Sequence, residues 1–188
     1  MANQRRLPPG QHKTDRFPVL QYGSIIHLDR KEYTLKVDGL VDNPIQLALE
    51  QIRQLPKLDE RVDIHCVTTW SKFDTKWAGV PFKEILKLVK PKQGARFVIM
   101  HCADGGFTTS LPIDVMVEDD VLVAYEYDGK PITDDHGGPV RTVVPKKYFY
   151  KSAKWLVQLE LVAEDQLGYW ERGGYSNDAD PWKEQRYA

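Results

Sequence analysis

Both cysteines of the chain follow a histidine, in the pairs His65-Cys66 and His101-Cys102, and each pair closes an apolar run. Thiolate and imidazole are the usual ligands of zinc, so a zinc centre is the first chemistry the pairs suggest. Neighbouring residues on a strand face opposite sides, however, so one face can receive both sulfurs but not all four ligands. The pattern points away from zinc and toward a single thiolate serving a soft metal. Thr68, Thr69, Trp70 and Ser71 follow Cys66 as a polar and aromatic loop, which leaves its sulfur at the mouth of a sheet. Cys102 has the other common fate of a lone cysteine open to it, as a small buried hydrophobe.

Two further stretches carry chemistry. In DDHGGPVR, residues 134–141, paired glycines let the backbone approach a ligand closely, with His136 and Arg141 as flanking donors; a plain hairpin turn explains the same letters. RTVVPKKYFYKSAKW, residues 141–155, holds Arg141, Lys146, Lys147, Lys151 and Lys154 with no acidic residue. Tyr148, Phe149, Tyr150 and Trp155 are interleaved with them, and Ser152 adds a hydroxyl. An anionic ligand with a flat ring system would find both charge and apolar surface there. Single-stranded nucleic acid would be served by the same features.

These residues need a framework, and the composition allows one. The chain has 188 residues, 41% of them hydrophobic, enough for one domain with a substantial core. A formal net charge of -1 argues against a surface built for nucleic acid or anionic membrane. No apolar run is long enough for a membrane span, and the two arginines near the N-terminus precede no apolar segment, so neither a span nor an export signal is expected. Two cysteines make no disulfide framework, which fits a cytoplasmic location.

Residues 1–16, rich in Pro, Gly and basic side chains, read as an extended arm, and residues 17–188 as a single domain. YTLKVDGLV reads as a strand with a turn at Asp38 and Gly39, and LALEQIRQL, residues 47–55, as a helix ending before Pro56. VDIHCVTTW, residues 62–70, reads as a strand, followed by a loop and then a helix with Pro81 at its first position. Phe82, Ile85, Leu86 and Val89 form that helix's buried face. ARFVIMHC, VLVAYEYDGK, with a turn at Asp128 and Gly129, and VRTVVP read as further strands. KWLVQLELV alternates Trp155, Val157, Leu159 and Leu161 on one face. Strands outnumber helices, which predicts a mixed, sheet-rich α+β fold.

Taken together, these stretches resemble the molybdopterin domain of the sulfite oxidase family from about Phe17 to the C-terminus. IHCVTTWS is similar to the family's molybdenum-ligand strand and KWAGVPFKEIL to the segment after it. HGGPVRTVVP and KSAKW are similar to the clasp around the pterin phosphate, and GYWERGGY to the C-terminal active-site stretch. The resemblance implies molybdenum-molybdopterin (Mo-MPT) as cofactor and two-electron oxygen-atom transfer at sulfur as the reaction. It implies a small sulfur-containing or oxyanion substrate and electrons exchanged with a separate carrier.

By the same resemblance Cys66 is the metal's one protein thiolate, with Tyr175 and Trp77 in the catalytic pocket. His136, Arg141, Ser152, Ala153 and Lys154 hold the pterin and its phosphate, Cys102 and Asp104 stand nearby, and Leu20 and Gln21 form the opposite wall. Two departures shape the expectation. Trp70 stands where sulfite oxidases carry an arginine close after the ligand cysteine, as in the sulfoxide-reducing relatives, so an S-oxide reductase is the alternative. Neither a haem-binding domain nor the immunoglobulin-like dimerisation domain is read in the chain, so the electron partner is expected to be another molecule. Two other classes stand beside these: a nucleic-acid-binding module using residues 141–155, and a protein that holds the cofactor without turnover.

Overall fold

The computed structural model describes residues 6–188, so the first five residues of the expected arm lie outside it. In chain order the elements are β1 (His12–Lys13), β2 (Thr34–Gly39), β3 (Ile45–Ala48), α1 (Leu49–Arg53), β4 (Leu58–His65), β5 (Trp70–Pro81) and α2 (Phe82–Val89). They continue with β6 (Phe97–Cys102), β7 (Thr108–Pro112), α3 (Ile113–Met116), β8 (Leu122–Tyr127), β9 (Lys130–Pro131), β10 (Arg141–Val143), β11 (Leu156–Val162) and α4 (Tyr169–Arg172). One 6-stranded sheet runs β1-β5-β8-β10, with β4 added to β5 and β9 to β8; a 5-stranded sheet runs β3-β2-β11-β6-β7. This is a mixed α+β fold in which the helices are short. Leu35, Val37, Val98, Met100, Val123, Leu159 and Leu161 join both sheets to one core, which α2 caps with Phe82, Ile85, Leu86 and Val89. Among the described residues no helix is long and apolar enough to cross a membrane.

Several elements differ from the sequence reading. VDIHCVTTW is not one strand. β4 ends at His65, and Cys66–Thr69 is a tight turn in which Cys66 N–H donates to Trp70 O at 2.8 Å and Thr69 N–H to Cys66 O at 3.1 Å. Trp70 then opens β5, a strand where a loop was expected. Its inward positions include Ser71 and Thr75, both buried, and these polar letters hide the alternation. Both are satisfied: Ser71 Oγ donates to Gln11 Oε1 at 3.1 Å, and Thr75 Oγ1 donates to Val62 O at 2.6 Å and accepts from Trp77 Nε1 at 2.9 Å.

The helix expected over 47–55 is only α1, because Leu47 is taken by β3, where it pairs with Leu35. Gln51 Oε1 accepts from Ala48 N–H at 2.8 Å and starts the helix there. α2 begins one residue later than expected, with Pro81 as its flanking residue rather than its first turn. In β11 a register shift between Leu156 and Gln158 breaks the expected alternation, so Leu156 is fully buried and Val157 only partly. The N-terminal arm is not free where it is described. His12 and Lys13 pair in parallel with Trp70 and Ser71.

Candidate cofactor and active site

The β4–β5 turn, the β6–β7 turn, the start of β10 and the C-terminal α4 converge on a cavity of about 640 Å³, closed on one side by residues 17–26. Cys66 enters it from the first of these turns, packed against Ile64 and Trp70, with its Sγ 3.1 Å from Thr68 Oγ1. Burial raises the pKa of this thiol, while Thr68 and Arg186 act in the opposite direction. Cys102 enters from the end of β6 and is pushed up further, by burial and then by Asp104. Asp104 itself shapes the β6–β7 turn, its Oδ1 accepting from Phe107 N–H at 3.0 Å.

The most buried polar side chain lining the cavity is Arg141, at the start of β10 and only 1% exposed. Its guanidinium donates to three carbonyls, His136 O at 2.7 Å, Ser152 O at 2.9 Å and Thr142 O at 3.3 Å, and lies 4.3 Å from the Phe149 ring. It forms no ion pair among the described residues. Desolvation lowers its pKa to about 9. A buried cation held by carbonyls alone is costly, and an anion in the cavity would relieve it.

Lys154 stands beside it, donating to Asp135 O at 2.7 Å and to Gln21 Oε1 at 3.3 Å, and burial with help from Arg141 brings its pKa down to about 7. His136 stacks on Phe17, ring centroids 3.9 Å apart, and its Nδ1 is buried with no partner. Gly137, at φ 92°, lets Lys154 pass over the turn; a Cβ there would lie 2.6 Å from Lys154 Cβ.

Tyr175 closes the opposite end. Gly174, at φ 98°, turns the chain back, and the Tyr175 ring packs on Trp170 and Tyr150. Its phenol is held protonated by burial, with Tyr187 and Cys66 adding to the shift. Trp70 Nε1 is likewise buried with no partner. The cavity thus pairs a thiol at one end with two basic side chains at the other, neither of them in an ion pair among the described residues. The profile of the family described as oxidoreductase molybdopterin binding domain matches residues 22–170.

The chain belongs to that family. The oxidoreductase YuiH of Bacillus subtilis (strain 168) is 43% identical over 183 residues, covering 97% of this chain and 92% of the relative. Sulfite oxidase of Arabidopsis thaliana is 30% identical over 196 residues, covering 86% of this chain and 50% of that one. The protein-methionine-sulfoxide reductase catalytic subunit MsrP of Pseudomonas syringae pv. tomato is 28% identical over 173 residues, covering 80% and 51%. The chain therefore spans about half the length of these last two relatives. In fold it is similar to the sulfane dehydrogenase SoxCD of Paracoccus pantotrophus, with a TM-score of 0.69 at 22% identity, over 75% of this chain and 41% of that one.

Of the residues expected at a molybdopterin site, Cys66, Tyr175, Leu20, Gln21, Cys102, Asp104, His136, Arg141, Ser152 and Lys154 all line the cavity. Trp77 does not. It is 2% exposed, behind Phe17 and Phe149, with Arg141 5.4 Å from its ring, so it supports the wall without facing the cavity. Ala153 is also absent from the lining; its backbone exchanges hydrogen bonds with Thr142, and this holds Ser152 and Lys154 in place. Phe17, Tyr22 and Phe107 line the cavity without having been expected there, since each sits in a segment with no periodic pattern.

The basic aromatic stretch is not one surface. Lys146 pairs with Glu118 and Lys147 with Asp178, each at 2.6 Å, and Lys151 is buried against Glu171 at 2.5 Å. Tyr148 and Trp155 are buried too. A continuous lane of charge and stacking rings, as nucleic acid needs, is therefore missing from residues 141–155.

Proposed function

We propose that this protein is a molybdenum-molybdopterin oxidoreductase that transfers an oxygen atom at sulfur and exchanges electrons with a separate carrier. Residues 17–188 act as one domain, residues 1–16 as its arm, and the two unlinked thiols suit the cytoplasm. The observation that carries this reading is Arg141, a buried cation without a carboxylate, facing the same cavity as the Cys66 thiol.

The residues fit the group the family implies. Arg141, Lys154 and the Ser152 hydroxyl would hold a pterin phosphate, the His136 side chain would line the pterin, and Cys66 would give the metal a thiolate. Once bound, the cofactor supplies two-electron oxygen-atom exchange, chemistry that no side chain here provides. The chain's own part is to orient and to exclude water. Leu20 and Gln21 cover the cavity, while the Tyr175 hydroxyl stands ready to donate to a substrate oxygen.

One observation favours an S-oxide over sulfite. Val67, Thr68, Trp70 and Tyr175, the cavity residues nearest Cys66 in sequence or facing it from the C-terminal turn, are all uncharged. A neutral S-oxide asks for hydrogen-bond donors, whereas a sulfite anion asks for a cation. Reduction of the S-oxide consumes two electrons and two protons and releases the sulfide and water.

The cofactor-loaded protein is to be assayed with a dialkyl sulfoxide plus a one-electron donor, and with sulfite plus a one-electron acceptor. The sulfoxide is expected to win in kcat/KM by about tenfold or more, the cost of an unpaired anion. Faster sulfite turnover would reverse the substrate assignment. Loaded protein inactive toward both would point to cofactor holding without turnover.

A further inference from the structure

The family profile ends at residue 170, yet a contact to the Cys66 turn comes from well beyond it. Within its own hairpin the turn has two backbone hydrogen bonds, Cys66 N–H to Trp70 O and Thr69 N–H to Cys66 O, and Thr69 sits at φ 78°. Three more bonds arrive from the ends of the chain, the first from His12 N–H to Thr69 O at 2.8 Å. Gln11 Nε2 donates to Cys66 O at 3.0 Å, and Arg186 Nη1 donates to Val67 O at 2.5 Å.

Arg186 does more than touch the turn. Its other terminal nitrogen donates to Gly10 O at 3.2 Å and to Pro9 O at 3.4 Å, and its guanidinium carbon lies 5.1 Å from the Tyr148 ring centre. Its backbone carbonyl accepts from Ser176 N–H at 3.1 Å, and Ala188 N–H donates to Gly174 O at 3.0 Å, so the C-terminal residues pair alongside Tyr175. Gly10, at φ 65°, leaves room for this arrangement: a Cβ there would lie 2.9 Å from Arg186 Nη2 and 2.2 Å from Glu184 Oε1. A single guanidinium thus ties the Cys66 turn to the N-terminal arm, while the backbone of the same residue is paired to the Tyr175 turn.

We infer that Arg186 is a positioning residue, one that fixes the Cys66–Thr69 turn against the Tyr175 turn and so sets where the thiol stands relative to the substrate-facing phenol. The inference rests on the proposed role of Cys66. A planar fork suits the task, since it can donate to two carbonyls on different segments at once. Lysine keeps the charge but reaches as a single point.

The test compares wild type, Arg186→Ala, Arg186→Lys and Gly10→Val, the last displacing the guanidinium without deleting it. In the cofactor-free chain, amide hydrogen exchange at Thr69 is expected to rise about tenfold or more in Arg186→Ala, with Ile99 and Met100 of β6 unchanged. Gly10→Val should do the same, and Arg186→Lys should recover part of the protection. In the loaded protein, the visible thiolate-metal absorption of Arg186→Ala should shift while its melting temperature stays close to wild type.

Exchange that rises equally in β6 would make Arg186 a general staple of the fold and overturn the inference. So would an unchanged Thr69 exchange and spectrum. If Arg186→Ala does not fold, the Lys and Val variants carry the same comparison. A Cys66→Ser protein that keeps its metal sinks the underlying reading instead, whatever Arg186→Ala does.

Discussion

Arg141 and Lys151 lie ten residues apart in one basic stretch, and both are buried, at 1% and 0% exposure. Their surroundings differ. Lys151 Nζ meets Glu171 at 2.5 Å and also donates to Ser110 O at 3.0 Å and Asn177 Oδ1 at 3.1 Å, while Thr109 Oγ1 donates to the same carboxylate at 2.6 Å. Arg141 has carbonyls only. The first cation is complete within the chain and pins α4, with the Tyr175 turn that follows it, onto β7. The second is incomplete, and its field opens into the cavity. Buried charge marks a ligand site where its partner is missing, and a structural joint where the partner is present.

Breaking the joint should have the largest effect. Lys151→Met or Glu171→Gln leaves its partner buried and unpaired, and each is expected to lower the unfolding free energy of the cofactor-free chain by about 3–5 kcal/mol. Replacing both with apolar residues should recover much of that loss. Urea unfolding checks it, and a Lys151→Met protein no weaker than Arg141→Met would erase the distinction.

Arg141→Met is the matching change at the other cation. It removes a buried charge with no carboxylate partner but also strands the carbonyls of His136 and Ser152, so the cofactor-free chain should lose clearly less stability than Lys151→Met does. Cofactor retention through dialysis should fall about ten- to a hundredfold, the loss of a charge-assisted bond worth roughly 1.5–3 kcal/mol.

Two phenols repeat the contrast at the Cys66 end of the cavity. Tyr150 donates to Ser176 O at 2.5 Å, whereas Tyr175 has no hydrogen-bond partner for its hydroxyl among the described residues. Tyr175→Phe should leave metal content and melting temperature close to wild type and cut turnover roughly ten- to a hundredfold. Tyr150→Phe should instead cost about 1 kcal/mol of stability. Equal turnover in wild type and Tyr175→Phe would reduce Tyr175 to packing.

The last contrast is a pH dependence. Lys154 has a pKa of about 7 folded against 10.5 in its ordinary state, so between those values the folded chain binds fewer protons than the unfolded one. Stability of the cofactor-free chain therefore rises with pH across that window, and below about 7 the penalty is fully present. Lys154→Met should flatten this slope in unfolding curves taken at about pH 6.5 and about pH 9. A bound anion favours the charged amine, so cofactor retention should weaken as pH climbs past about 7, and less so in Lys154→Met.

Much of the candidate cavity lining could be read in the sequence because its residues sit in short stretches whose order is informative. Cys66, His136, Arg141, Ser152, Lys154 and Tyr175 are all found on the cavity wall. What stayed hidden depends on distance along the chain. Glu171, which separates Lys151 from Arg141 in meaning, lies twenty residues beyond Lys151. β5 was obscured by inward Ser71 and Thr75, and the face of β11 by its bulge. Trp77, expected in the pocket, shows the limit of carrying a residue over by position. Its indole lies one layer behind the wall, with Phe17 in front of it.

The central claim is that Cys66, and not Cys102, holds a metal in this cavity. Molybdenum and pterin per chain, measured in Cys66→Ser and Cys102→Ser made in a molybdopterin-competent host, test it most directly. The account predicts that Cys66→Ser loses most of its molybdenum, since an alcohol is a harder and far less readily ionised ligand, while Cys102→Ser keeps most of its own. Equal loss in both variants, or full retention in Cys66→Ser, would contradict it.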